Sequence, residues 1–174
     1  MEAKFSPRVK DIMRLSREEA LRLGNDYIGV EHLLLGLIRQ GDGLAISVLT
    51  EFNLDLEQIR LEIESYLSRS SSKRKSIDAE RLPLVKQAEK VFKVTYLEAK
   101  LFKSPIIGTE HLLLSILKDE NNVACRTLNK YGVIYENVKD ELEAMMEEKN
   151  NPKAEFPGST DEGGDAGFAG SSGG

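Results

Sequence analysis

The chain has 174 residues, of which 40% are hydrophobic and 30% are charged, as in an ordinary globular protein of one domain or two small ones. Its net charge of -5 excludes a global attraction to nucleic acid or acidic lipid, and its one cysteine, Cys125, excludes a disulfide framework. The N-terminus has no signal-peptide pattern, and no stretch approaches the roughly 20 apolar residues that span a bilayer. The sequence therefore predicts a cytoplasmic protein with no membrane partner.

Apolar residues at helical spacing predict four helices in the first part of the chain. The two middle helices are rich in leucine and are separated by the breaker sequence Gly41-Asp42-Gly43. The four predicted helices lie near residues 9–23, 30–39, 43–52 and 56–67. Strand signals are absent, so we expect an all-α structure.

A second set of four helices is predicted after a polar connector. The connector, residues 68–80, is rich in serine and basic residues, which is typical of a solvated linker. The later helices are expected near residues 83–102, 109–118, 121–131 and 135–148. The final segment, residues 150–174, contains seven of the 14 glycines among acidic residues, and its composition predicts a disordered, flexible tether.

The two sets of helices are copies of each other. Residues 28–35 (IGVEHLLL) recur as residues 107–114 (IGTEHLLL), at an offset of 111 − 32 = 79 residues. A period this long is typical of one small domain duplicated in tandem, not of a solenoid. The sequence thus predicts two pseudosymmetric four-helix repeats, residues 1–67 and 81–149. We expect about three extra residues before Val91, and therefore no hydroxyl residue at the equivalent of Ser6.

These paired motifs resemble the Clp N-terminal repeat domain. The segments at residues 5–9 (FSPRV), 18–24 (EEALRLG) and 28–37 are similar to its ClpC branch, and the resemblance covers about residues 3–148. It implies the N-terminal domain of a hexameric ATPase that threads proteins into the ClpP protease. The chain has no phosphate-loop motif, so we expect no catalysis and no cofactor here. ATP and Mg would belong to ATPase modules outside this chain, and the isolated domain is expected to be a monomer.

The resemblance also implies a recognition role, in which the domain docks MecA-like adaptors and binds proteins tagged by arginine phosphorylation. A carboxylate can hold the guanidinium of phosphoarginine, and a helix N-terminus can hold its phosphate. By resemblance, Glu31 and Ser6 form a first pocket, and Glu110 belongs to a second. The implied binding residues are Ser6, Pro7, Arg8, Val9, Glu31 and Glu110.

Simpler explanations exist for the same residues. Acidic residues in the first turn of a helix, as expected of Glu31 and Glu110, stabilise it by complementing the helix dipole. The two histidines that follow them have no metal-ligand spacing and are interpreted as hydrogen-bonded residues at helix starts. Cys125 lies on an apolar helix and is expected in the core.

Three other functions are consistent with parts of the sequence. The basic residues Arg69, Lys73, Arg74 and Lys75 could bind nucleic acid, although no aromatic residues lie among them. A hydrolase could pair Glu31 or Glu110 with the adjacent histidine, but adjacent helix residues point about 100° apart. The chain could also be a stand-alone Clp-repeat regulator without an ATPase body.

Overall fold

The computed structural model describes residues 3–70 and 82–150, and it confirms the all-α prediction of four helices in each repeat. In chain order, the elements are β1 (Lys4–Phe5), α1 (Pro7–Arg22), α2 (Val30–Gln40), α3 (Leu44–Glu51), α4 (Leu56–Ser70), α5 (Lys86–Leu101), β2 (Ile106–Ile107), α6 (Thr109–Lys118), α7 (Val123–Asn129) and α8 (Tyr135–Asn150). Helix α4 continues to Ser70, so the first three residues of the predicted linker are helical. The rest of that linker and the predicted tether after residue 150 lie outside the described residues.

The expectation that strands are absent was wrong at two short places. Strands β1 and β2 pair in parallel, with Lys4 opposite Ile106 and Phe5 opposite Ile107. An isolated parallel bridge joins Ile28 to Leu84 in the same way. Each pairing is too short to produce the alternating pattern that identifies a strand in a sequence. Both join the start of one repeat to the other repeat.

The 79-residue register holds through the start of the second repeat, contrary to the sequence prediction of about three extra residues there. Val85 stands at the equivalent of Ser6, because 6 + 79 = 85. Both residues precede the first helix of their repeat with the same backbone angles, φ −69° and ψ 160°. The predicted lack of a hydroxyl residue at this position is confirmed, but its cause is a substitution and not an insertion.

Within the first repeat, α1 and α2 form an antiparallel pair. Asn25, just after α1, bonds His32 in the first turn of α2, with 2.8 Å between Oδ1 and Nε2. At the other end, the Arg8 guanidinium lies 2.8 Å from the Asp42 carboxylate. Midway along the pair, Gly36 of α2 lies so close to α1 that an added Cβ would be 2.5 Å from the Ser16 hydroxyl oxygen. The start of α1 and the start of α2 are therefore at opposite ends of this pair.

The two repeats share one hydrophobic core. It includes buried leucines from the second helix of each repeat, such as Leu34 and Leu113, and buried residues from the last helices, such as Ile63 and Leu142. Cys125 is also buried in it, as predicted. Helix α3 packs against α6, and α2 packs against α7. Within the described residues, no single helix is long and apolar enough to cross a membrane, whereas α2 and α3 pass that test only as a pair bent by 88°.

Candidate functional site

The two repeated glutamates lie where the sequence predicts, in the first turns of α2 and α6. Glu31 is 9% exposed and Glu110 is 1% exposed. Charged side chains are rarely this deep in a protein unless they are paired or functional. The two positions are therefore the natural centre of a candidate site, and Glu31 is the more accessible.

The predicted pairing of Ser6 with Glu31 was wrong. Since α1 and α2 are antiparallel, the start of α1 lies beside the C-terminal end of α2. Glu31 is in the first turn of α2, and an 11-residue helix is roughly 16 Å long. Ser6 instead donates its backbone N–H to the Ile107 carbonyl, 2.9 Å away, directly before the helix that carries Glu110.

The N-termini of α1, α3 and α6 meet around Glu110, which belongs to α6. The start of α1 reaches this place through the bond from Ser6 to Ile107. The start of α3 reaches it because the Thr109 hydroxyl accepts the Ala45 N–H at 3.0 Å. The segment Ser6–Val9 and Glu110 are therefore neighbours across the two repeats, a pairing that sequence reasoning missed.

Glu31 has the corresponding neighbours from the second repeat. Ile28 donates its N–H to the Pro83 carbonyl at 2.8 Å and accepts the Val85 N–H at 3.1 Å. The start of α5 is thereby fixed beside the start of α2. Arg126 of α7 is close enough for its charge to act on Glu31. Sequence reasoning missed residues 85–87 and Arg126 as neighbours of Glu31. The 79-residue offset could have identified Val85, because it is the equivalent of Ser6.

The two first helices begin differently. The Ser6 hydroxyl accepts the Val9 N–H at 3.1 Å, so α1 has a side-chain cap, and Pro7 has no N–H to offer. No side chain caps α5, because Val85 has no acceptor. The first N–H groups of a helix have no partner within it. The start of α5, with Lys86 as its first residue, is thus the more open place for an anion.

Burial raises the pKa of Glu31, while its own backbone N–H and the charge of Arg126 oppose this shift. The carboxylate lies over Gly29, where Oε1 would be 2.6 Å from an added Cβ. A buried carboxylate with a raised pKa is poorly compensated for its lost hydration. It therefore gains most from a cationic ligand that brings hydrogen-bond donors, such as a guanidinium.

The two histidines are structural, as the simpler interpretation predicted. Gly29 donates its N–H to Nδ1 of His32, and Gly108 donates to Nδ1 of His111, both at 2.9 Å. A backbone N–H can only donate, so each Nδ1 is unprotonated and each neutral ring carries its proton on Nε2. Burial lowers the pKa of both rings to about 4.

This geometry opposes the metal and hydrolase alternatives. His32 uses both ring nitrogens within the fold, since Nε2 bonds Asn25. His111 Nε2 is 3.8 Å from Glu110 Oε2, beyond hydrogen-bonding distance, and is fully buried. Among the described residues, no group of three or more acidic, histidine or cysteine side chains could hold a metal ion.

Comparison with known proteins identifies the family. The model of the Clp repeat N-terminal domain matches residues 4–131 and 86–160, so the chain belongs to this family. It is 34% identical to the negative regulator of genetic competence ClpC/MecB of Bacillus subtilis over 146 residues, which is 84% of this chain and 17% of that protein. It is also 34% identical to the chloroplastic chaperone protein ClpC2 of Arabidopsis thaliana over 155 residues, 89% of this chain and 16% of that protein. The chain thus spans about a sixth of the length of these relatives.

Solved structures confirm the fold. The N-terminal domain of the chaperone ClpD from Arabidopsis thaliana superposes with a TM-score of 0.65 at 19% identity, covering 82% of this chain and 94% of that one. The N-terminal domain of Hsp104 from Candida albicans has a TM-score of 0.68 at 14% identity, covering 82% and 91%. At these identities the likeness concerns the fold alone.

Proposed function

We propose that this chain is a non-catalytic recognition domain that captures protein substrates and adaptors for a Clp-type ATPase in the cytoplasm. Its membership of the Clp repeat family and its similarity to ClpC proteins support this role. A solved structure that superposes on this chain with a TM-score of 0.65, at 18% identity, is named for a peptide from the SciI protein of EAEC T6SS Sci1. In the whole protein, captured substrates would pass through an ATP- and Mg-dependent ring to ClpP, and MecA-like proteins would be the adaptors.

We further propose that the ligand of the Glu31 site is phosphoarginine on tagged proteins. The observation that carries this proposal is the buried Glu31 carboxylate beside the uncapped start of α5. The carboxylate would hold the guanidinium through paired hydrogen bonds. The amides of Lys86 and Gln87, together with the Arg126 side chain, would face the phosphate. A single ligand would then bridge the two repeats.

The Glu110 site would be weaker. There the Ser6 hydroxyl already accepts the Val9 N–H, so one amide of the helix start is used before any ligand arrives. Glu110 is also less exposed than Glu31. Ser6, Pro7, Arg8 and Val9 remain predicted ligand neighbours, now of Glu110 instead of Glu31.

Calorimetric titration of the chain with free phosphoarginine tests the proposal. We expect saturable binding at millimolar ligand or below, and at least tenfold weaker binding by the variant Glu31→Gln. Because burial raises the pKa of Glu31, the neutral variant should fold at least as stably, which thermal unfolding will check. Arginine and inorganic phosphate, titrated separately, are the ligand controls. If the unaltered chain gives no heat with phosphoarginine, the phosphoarginine proposal fails while adaptor capture stands.

A stand-alone regulator would have the same site and would differ only in lacking an ATPase module. No specific observation favours the nucleic-acid alternative. Of its four basic residues, Lys73, Arg74 and Lys75 lie outside the described residues, and Arg69 bonds the Ser65 hydroxyl at the end of α4. We therefore propose no nucleic-acid partner.

A further inference from the structure

Helix α5 has an exposed face unlike that of its counterpart α1. Leu97 is 54% exposed and Leu101 is 64% exposed, and they lie one helical turn apart. In the first repeat the equivalent positions are Glu18 and Arg22, at the same offset of 79 residues. The duplicated fold therefore shows that neither leucine is needed to build the helix.

In the first repeat, ion pairs cover the equivalent face of α1. The Arg22 guanidinium bonds Glu19 at 2.7 Å and Glu64 at 2.5 Å. Arg39 joins the same network through Glu19, at 3.2 Å, and also pairs with Glu18, at 3.0 Å. These ion pairs give the α1 face many charged groups that hydrate well and leave little apolar surface for a partner.

In the second repeat that network is only partly replaced. Glu98, the equivalent of Glu19, is buried and accepts the Tyr135 hydroxyl at 2.9 Å and lies 3.4 Å from the Lys118 ammonium. These contacts satisfy Glu98 without Leu97 or Leu101. The two leucines are left on the surface, although exposing large apolar side chains in one place has a free-energy cost in water.

The charge around the leucines indicates which partner fits. The exposed positions of α5 are Lys86, Glu89, Lys90, Lys93, Leu97, Lys100 and Leu101. Four of these seven residues are lysines and one is acidic, although the whole chain has a net charge of -5. Lys93 precedes Leu97 by one turn, and Lys100 lies between Leu97 and Leu101 along the chain, so two cations border the apolar pair.

We infer that the Leu97–Leu101 face of α5 is a docking surface for an acidic amphipathic helix of a partner protein. Apolar side chains one turn apart on that helix would pack on the two leucines, and its flanking carboxylates would pair with Lys93 and Lys100. The inference rests on the proposed recognition role and gives it a second surface. From Val85 to Leu97 is 12 residues, or roughly 18 Å along a helix, so this face is separate from the Glu31 site.

The test uses the 174-residue chain and a synthetic helical peptide with two leucines one turn apart between glutamates. Binding is followed by backbone amide shifts and by fluorescence anisotropy. We expect shifts confined to α5 around Leu97 and Leu101, and weaker binding as salt is raised. A matched peptide with lysine in place of glutamate should bind at least tenfold more weakly.

The decisive variant is Leu97→Glu with Leu101→Arg, which introduces the residues of the first repeat. It should bind the acidic peptide at least tenfold more weakly, with an unchanged thermal midpoint and unchanged phosphoarginine titration. The control is Leu61→Glu on α4, because Leu61 is 49% exposed but lies in the other repeat; its affinity should match that of the unaltered chain. Equal peptide binding by the double variant overturns the inference.

Two further outcomes also overturn it: equal binding of both peptides, or binding only to phosphatidylserine vesicles. Failure of this surface and failure of the proposed Glu31 site are distinguishable. The first would abolish peptide binding with the phosphoarginine titration intact, and the second would do the reverse.

Discussion

The two repeats have the same helices in the same register but do not present the same chemistry. The first begins with a capped helix, at Ser6, and covers its α1 face with ion pairs. The second begins with the uncapped Val85 and exposes leucines on its α5 face. The core of this fold is therefore closely similar in the two repeats, while the helix starts and the outer faces differ in capping and in exposed side chains.

The largest effect should come from the feature that the repeats share most closely, their buried histidines. The pKa of His32 and of His111 is lowered to about 4, so between pH 6.5 and 4 the unfolded chain binds protons that the folded chain does not. Stability should therefore fall as pH falls through this window, by roughly 3 kcal/mol for each histidine at its lower end. Urea unfolding at pH 7, 6 and 5 measures the decline.

Replacing one histidine at a time separates the contributions of the two repeats to the pH dependence of stability. His32→Asn or His111→Asn should each lower stability at pH 7 but remove about half of the pH dependence above pH 5. If one variant keeps the full pH dependence, the histidine it lacks is not titrating as described, and the repeats differ in their cores.

The next largest loss of stability should come from the contact between α1 and α2, and it should exceed the loss at the equivalent contact between α5 and α6. Gly36 lets α2 approach α1, and an added Cβ would lie 2.5 Å from the Ser16 hydroxyl and 2.8 Å from the Ile12 carbonyl. Gly36→Ala should destabilise the chain by about 2 to 3 kcal/mol, since the clash involves backbone. At the equivalent position Ser115 donates to the Val91 carbonyl at 2.6 Å, so Ser115→Ala should cost only about 1 kcal/mol. Denaturant unfolding of both variants checks the order, which equal losses would contradict.

The smallest effect concerns the ends of α1 and α5. Gly24 and Lys103 occupy equivalent left-handed positions, at φ 78° and 54°. A lysine there is strained, whereas a glycine is not. Lys103→Gly should raise stability by about 1 kcal/mol, and Gly24→Lys should lower it by a similar amount. The midpoint of thermal unfolding measures both, and a destabilised Lys103→Gly would show that the lysine side chain has a role of its own.

Much of this structure was predictable from the sequence. Apolar residues at helical spacing and the repeated Gly-x-Glu-His motif predict eight helices and their duplication. This is possible because the spacing of apolar residues within each short segment indicates a helix and its buried face. The place of Glu31 and Glu110 in a first helical turn followed from the same patterns.

The pairing of site residues was not predictable in this way. Ser6 lies near Glu110 and not Glu31, because short parallel bridges exchange the starts of the two repeats. These bridges depend on the antiparallel packing of α1 against α2. No short sequence pattern indicates that packing. The significance of Val85 was also missed, since an apolar residue before a helix is conspicuous only when its repeat partner is a capping serine.

We propose that Glu31, beside the open start of α5, forms the stronger of two unequal ligand sites. The most direct test is phosphoarginine titration monitored by backbone amide shifts, in Glu31→Gln and Glu110→Gln. We predict that Glu31→Gln removes the tighter binding and the shifts at Lys86 and Gln87, while Glu110→Gln changes the tighter affinity by less than twofold. Loss of the tighter site in Glu110→Gln with full binding by Glu31→Gln would show that Glu110, and not Glu31, forms the stronger site.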